Sequence, residues 1–294
     1  MVIVRLNGGL GNQLFQYAAG LALARANGDT LKLDLSVFSA TQTSRQTWRN
    51  PDILDFSISA PIATHDEVRR LKNPWGPFSE IVRLVRQKGF KRYYDDWHPE
   101  VMRWRGDMYL DGYFQCERYF TNCFSELQKE FVLSSEKNAG ITSMSNRIAA
   151  LRNPVSLHVR RGDYVRHPEH EICTSDYFRS ALSSMREAVG PYNLVVFSDD
   201  VQWVRAHLEL GAEALFVSEQ RRADGSGFSP SQELVLMSQC SHHIISNSTF
   251  SWWGAYLDRR PDKVVMAPAL WNRSRIYPHK NILPEGWRRL PVAS

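Results

Sequence analysis

Short apolar runs alternate with helical stretches through the second half of this chain, and that alternation restricts the fold more than any other feature. Residues 155–159, 193–198, 215–217, 243–246 and 264–267 read as strands. Between them, helical spacing appears at 175–189, 201–210, 231–241 and 250–258. Thr174 or Ser175 caps the first helix, and Asp199 or Asp200 the second. Strands joined through helices pair in parallel, because a helical crossover returns the chain to the edge it left. The N-terminal third starts the same way: a strand (2–6), a glycine-rich turn (7–12), a helix (13–26) and a strand (30–35). Residues 40–106 are irregular and rich in Trp, Arg and Pro, with one amphipathic helix at 79–88. A strand at 108–113, a helix at 116–131 and a polar helical stretch at 134–151 follow, ending at Asn153-Pro154. At 294 residues the chain is long for one core. The expectation is two Rossmann-like α/β domains, 1–153 and 154–294, facing a central cleft.

Composition narrows the function classes. Hydrophobic residues make up 43% and charged residues 23%, as in ordinary soluble proteins. The net charge of +5 comes with no isolated basic run, so anionic small ligands account for it and no nucleic-acid partner is expected. Cys116, Cys123, Cys173 and Cys240 show no C-x-x-C spacing and read as reduced thiols rather than a disulfide or zinc framework. No run reaches ~18 apolar residues and the chain opens directly on a strand. A cytoplasmic protein is expected, with peripheral contact at the inner membrane face left open.

The strand at 155–159 ends in Arg160-Arg161-Gly162-Asp163. Adjacent guanidiniums repel, so a fold keeps them where anions hold them. The planar arginine fork matches phosphate with two parallel hydrogen bonds, which points to a diphosphate-bearing substrate. A salt-bridged strand end is the competing explanation. His158 alternates with Arg160 along the strand, so its ring can face the same side.

A second polar cluster, Ser246-Asn247-Ser248-Thr249-Phe250-Ser251, follows the strand at 243–246 and starts a helix. Helix starts carry unpaired N–H groups and partial positive charge, which suit a phosphate, although Ser or Thr there is also an ordinary cap. Glu233, near another helix start, either compensates the helix dipole or accepts the N1–H and 2-amino protons of guanine. In the glycine-rich turn, Gly11 sits at an anion cradle, while Asn12 and Gln13 are the polar residues best placed to reach a substrate. Asp34 downstream resembles a ribose-binding acid, which keeps a nicotinamide enzyme in play. Leu14 stands against that reading, because it replaces the third glycine of the dinucleotide fingerprint. Ser198-Asp199-Asp200 and Tyr94-Asp95-Asp96-Trp97 are weak metal candidates. The former precedes a helix and reads better as a cap, so no metal is expected.

Gly8 through Tyr17, Asp111 through Gln115, His158-Val-Arg-Arg-Gly-Asp-Tyr164, Phe197 through Asp200 and Glu233 through Leu257 together resemble the bacterial-type α-1,2-fucosyltransferases, glycosyltransferase family 11. The resemblance implies a GT-B-like fold, GDP-β-L-fucose as donor and a galactose-terminated oligosaccharide as acceptor. It also implies inversion at the anomeric carbon and independence of metal. Arg160 would hold the β-phosphate, with Arg161 as support or second contact. His158 and Glu233 would read guanine, and Asn247, Ser248, Thr249, Phe250 and Ser251, with Gly11, would line the donor. For the base that deprotonates the acceptor hydroxyl, Asp163 is the candidate, against a salt bridge to either arginine. Glu169, or a weakly assisted route with Asn12 or Gln13 positioning the acceptor, stays open. Another fucosyl linkage and a non-catalytic sugar-nucleotide or glycan-binding module are the alternatives.

Overall fold

The computed structural model describes residues 1–39, 49–72, 96–162, 164, 169–222, 224–273 and 279–292. The helix expected at 79–88 and Asp163 lie outside them. The chain forms two compact units, Met1–Val132 and Leu133–Ser294. The second unit thus begins before the expected boundary at 153, because the helices ahead of Pro154 belong with it.

The first unit holds a three-stranded parallel sheet, in the order β2 (Leu31–Asp34), β1 (Val2–Arg5), β3 (Met108–Leu110). Between β1 and β2 runs helix α1 (Leu10–Asn27), which starts at Gly9 and stops at Gly28. Gly28 takes φ +67°, the left-handed geometry that closes a helix cheaply only with glycine. The close helix–sheet approach is made at Gly20, where an added Cβ would fall 2.9 Å from Leu31 Cδ1 and 3.2 Å from Val4 Cβ. Leu14 is fully buried in the core instead. Further helices are α2 (Ser36–Ser39), α3 (His65–Lys72) and α4 (Phe124–Glu130). The single helix expected at 116–131 is broken. Two 3-10 turns, Glu117–Tyr119 and Thr121–Cys123, precede α4, and the wholly buried Phe120 lies between them.

The second unit holds a six-stranded parallel sheet in the order β6 (Leu215–Phe216), β5 (Asn193–Ser198), β4 (Pro154–Val159), β7 (His242–Ile244), β8 (Val265–Pro268), β9 (Arg288–Leu290). β9 was not expected from sequence: two of its three residues are exposed arginines, so it carries no buried-strand signature. The helices are α5 (Ser135–Ala139), α6 (Thr142–Ala149), α7 (Ser175–Val189), α8 (Val201–His207), α9 (Pro230–Ser238) and α10 (Thr249–Leu257). The helical stretch at 134–151 is split at Gly140, whose missing Cβ leaves room for Gln232 Nε2 at 2.8 Å.

All six residues of β4 are buried. A parallel strand at the centre of a sheet is covered on both faces, so apolar and polar residues alike lose solvent. Val155, Leu157 and Val159 join Tyr177, Phe178 and Met185 of α7 in one core. The opposite face carries Ser156 and His158. Ser156 Oγ pairs with His243 Nδ1 at 2.7 Å, and His243 Nε2 pairs with Asp258 Oδ2 at 3.1 Å. Arg260 Nη1 donates to Asp258 Oδ1 at 2.9 Å. This buried network ties the end of α10 to the lower half of the sheet; burial pushes the His243 pKa down despite the Asp258 carboxylate.

Candidate active site

From β4 the strand order grows first towards β5 and β6 and then, on the other side, towards β7 and β8. In open parallel sheets, ligands sit beyond the carboxyl ends of the strands at the place where this order reverses. Here that place is between β4 and β7.

Two serines finish β4 there. The ladder between β4 and β7 ends at Leu157↔Ile244. Beyond it, the Arg160 N–H donates to Ser246 Oγ at 3.0 Å, and Ser246 Oγ donates to the His158 carbonyl at 2.6 Å. On the other flank Ser198 Oγ donates to the Val159 carbonyl at 2.9 Å. Side chains thus take over the strand's last backbone groups, and the main chains are released to diverge without leaving polar groups unpaired.

Arg160 emerges at this point. Its Nη1 lies 2.7 Å from Asp199 Oδ2, with both side chains about a quarter exposed. Arg161 turns the other way: Nε reaches Asp200 Oδ2 at 3.3 Å and the guanidinium stacks 4.3 Å over the Trp203 ring. Asp200 also caps α8, accepting from Trp203 N–H at 3.0 Å. The expected cap is therefore Asp200, whereas Asp199 belongs to the arginines. Its Oδ1 accepts the Arg161 N–H at 2.8 Å.

His158 is buried, its ring 5.3 Å from that of Phe250. Nδ1 is buried with no hydrogen-bond partner among the described residues. Burial and the neighbouring Arg160 charge push the pKa down to about 3, so the ring is neutral at physiological pH.

Ser229 and Gln232 form a reciprocal capping box at the start of α9. Glu233 sits in the first turn. Dipole compensation would lower its pKa; burial instead pushes the carboxyl up to about 7, against a hydrogen bond with Ser218 and with help from the Asp199 charge.

The run at 247–251 divides by role. Asn247 Nδ2 donates to the carbonyls of His170 (2.9 Å) and Trp271 (3.0 Å), and its Oδ1 accepts from Cys173 Sγ at 3.4 Å. Ser251 Oγ donates to the Ser248 carbonyl at 3.2 Å, and Ser248 Oγ accepts the Phe250 N–H at 3.3 Å. Asn247 and Ser251 are thus engaged within the protein and shape the turn. Thr249 and Phe250 are the partly exposed residues of the run.

The remaining candidates lie in the first unit, apart from Glu169. Gly11 is buried in the first turn of α1. Asn12 Oδ1 accepts from Gln115 Nε2 at 3.0 Å. Gln13 is fully buried, donating to the carbonyls of Gly8 (2.9 Å) and Asn50 (2.8 Å) and accepting the Ile53 N–H at 3.1 Å. It is an internal brace and cannot reach a substrate. Asp34 is 2% exposed; against the upward push of burial, hydrogen bonds from Tyr109 and the Ser36 N–H hold its carboxyl below the usual range. An acid so enclosed has no free oxygen for a ribose, which removes the ground for a nicotinamide site. Glu169 accepts the Arg273 N–H at its carbonyl, 2.9 Å away.

Among the described residues no three His, Cys, Asp or Glu side chains are grouped to hold a metal, and no helix is long and apolar enough to cross a membrane. Tyr94 and Asp95 lie outside those residues.

A family model described as Glycosyl transferase family 11 matches residues 86–290. An alpha-1,2-colitosyltransferase of Escherichia coli is 30% identical over 301 residues, covering 99% of each chain. This chain belongs to glycosyltransferase family 11. A galactoside 2-alpha-L-fucosyltransferase, Sec1 of Mus musculus, is 28% identical to this family 11 chain over 268 residues, 87% of it and 64% of that protein. Among solved structures the fucosyltransferase NodZ from Bradyrhizobium superposes with a TM-score of 0.56 at 16% identity, covering 87% of this chain and 92% of NodZ. The fold is thus the GT-B-like α/β fold of fucosyltransferases, as expected from sequence.

Missing from the sequence reading were Asp199 as the partner of Arg160, Ser246 as the closing group of β4, and Ser218 beside Glu233. The parallel register aligns Val159 with Ser198, so the next step pairs Arg160 with Asp199. Opposite charges at one register position are the signal, and it is readable only once the register is known.

Proposed function

We propose that this protein is a metal-independent, inverting galactoside α-1,2-fucosyltransferase that moves L-fucose from GDP-β-L-fucose to the 2-hydroxyl of a terminal β-galactoside. The observation that carries the reading is the placement of Arg160 at the β4/β7 switch point of a family 11 chain.

As the bond from fucose to the diphosphate breaks, negative charge grows on the β-phosphate and the sugar takes on oxocarbenium character. A guanidinium already fixed beside that phosphate binds it more strongly as the charge develops, which is the differential binding that lowers a barrier. The N–H groups at the start of α10, next to Thr249 and Phe250, add positive potential, so the roles of a divalent ion are covered by protein groups. At the base end, ionised Glu233 accepts the N1–H and 2-amino protons of guanine, and neutral His158 offers its unpartnered Nδ1. Arg161, held by Asp200 and Trp203, supports Arg160 from behind. Asp163 is the proposed base for the acceptor hydroxyl, with Asn12 positioning the acceptor and Gly11 lining the donor on this reading. The protein works in the cytoplasm on this reading.

The similarity to an alpha-1,2-colitosyltransferase favours colitose as a second transferred sugar, for which the donor to test is GDP-colitose. Incubating the purified protein with each GDP-sugar, and with lactose, N-acetyllactosamine or a Galβ1,3-linked acceptor, in the presence of EDTA, decides between them. Transfer with an α-1,2 linkage by NMR is the expected product. No transfer from either donor to any β-galactoside would overturn the proposal.

A further inference from the structure

We infer that Asp199 is the positioning residue for Arg160: its carboxylate is built to hold the guanidinium in one pose, and catalysis depends on that pose. This rests on the donor reading above for its catalytic consequence, but not for its geometry.

Each oxygen of the carboxylate has a separate task. Oδ2 forms an ion pair with Arg160 Nη1, 2.7 Å away. Oδ1 takes the Arg161 main-chain N–H at 2.8 Å, which fixes the carboxylate to the backbone of the same turn that carries the guanidinium. Asp199 therefore does not swing freely. Its space is also reserved. An ideal Cβ on Gly162 would fall 2.5 Å from Asp199 Oδ2 and 3.3 Å from its Cγ, so any larger residue would displace the carboxylate from the arginine. Gly162 has no left-handed φ to explain it, so the close approach of Asp199 is the reason glycine stands there.

Ion pairs at exposed sites are weak because two long side chains must be ordered to form them. This one is about three-quarters covered, and one partner is already fixed by a backbone hydrogen bond, so little further ordering is needed. The contact through Nη1 fixes one corner of a guanidinium whose carbon also lies 5.7 Å from the centroid of the Tyr164 ring. Phosphate recognition by arginine depends on the orientation of its planar fork as much as on charge, so a held corner sets where the fork points. Small losses of such alignment cost turnover more than ground-state binding, since the β-phosphate contact tightens only as charge develops. The pair is therefore read as a mount for the arginine and not as a competitor for its phosphate.

Two variants and two readouts test this. Asp199→Asn keeps an acceptor for the Arg161 N–H but turns the other position into an amide that cannot pair with a guanidinium. Gly162→Ala displaces the carboxylate without removing it. The first readout is modification of Arg160 by phenylglyoxal, mapped by peptide mass spectrometry, which needs no substrate. The second compares kcat with GDP affinity in variants whose thermal melting shows them folded. The expected results are modification of Arg160 several-fold faster in both variants, and kcat lower by about tenfold or more with the GDP Kd within about threefold. Unchanged Arg160 reactivity in both variants overturns the positioning role, whether or not the donor is GDP-fucose. Tighter GDP binding with unchanged kcat also overturns it, by making Asp199 a competitor for the phosphate site. Wild-type protein that fails to bind GDP would refute the donor reading alone, and the modification rates would still decide the role of Asp199.

Discussion

The main-chain N–H of Arg160 donates to Ser246 Oγ at 3.0 Å, in the place where a sheet would offer a carbonyl from the neighbouring strand. Because the same hydroxyl donates to the His158 carbonyl at 2.6 Å, a single side chain ends the pairing of β4 and β7. It opens the crevice there and sets where the Arg160 side chain begins.

Ser246→Ala should therefore destabilise the protein and impair its activity together. It strands a buried carbonyl and an N–H, at a cost of about 1–3 kcal/mol. Denaturant unfolding should show the loss of stability, and turnover should fall in the folded fraction. A variant as stable as wild type would mean that the hydroxyl does not close the strand.

Arg160→Ala should lower turnover by about 10²-fold or more while leaving the fold intact, as for the loss of a transition-state charge partner. Arg160→Lys should recover little, because an ammonium cannot reproduce a fork held at one corner. Steady-state kinetics with GDP-fucose is the check, and near-normal activity in either variant would contradict the role given to Arg160.

Glu233 should make both stability and donor affinity depend on pH. Its carboxyl rises from 4.5 to about 7 in the folded protein. Over that window the folded state holds a proton that the unfolded state has lost, so this residue's effect on stability grows more unfavourable as pH climbs from 4.5 to 7 and is complete above 7. Glu233→Gln removes the penalty and should stabilise the empty protein at pH 8, by about 3 kcal/mol, with little change at pH 4. Guanine needs the ionised form, so GDP affinity should rise by about tenfold between pH 6 and 8 in wild type and stay flat in the variant. Calorimetric titration in buffers of different ionisation enthalpy should register proton release on binding.

Gly254→Ala should be costly although alanine favours helices. The added Cβ would fall 2.3 Å from Met237 Sδ and 2.9 Å from its Cγ, where α9 and α10 meet. Overpacking of this kind costs about 1–3 kcal/mol. Adding Met237→Ala should recover part of the loss, so a double-mutant cycle should give non-additive stabilities.

Much of the architecture is legible in the chain because strand and helix periods differ, and burial on both faces makes β4 and β5 read as short apolar runs. β9 was hidden since its arginines are exposed, and the break at Gly140 since its cause, Gln232, is remote in sequence. The candidate site was only partly legible. Arg160, His158 and Glu233 stand out by residue type, but Asn247, Ser251 and Gln13 look equally suited to a ligand and are engaged inside the protein.

By itself the sequence determined the parallel α/β class, the family and the position of Arg160 at a strand end, because these follow from local period and local chemistry. Only the tertiary structure decided which acid serves that arginine. Asp199 and Asp200 are neighbours of the same type, and the register of β4 on β5 sends one to Arg160 and the other to the cap of α8. Register is set by how whole side-chain faces pack across the sheet, and no local pattern in either strand carries it.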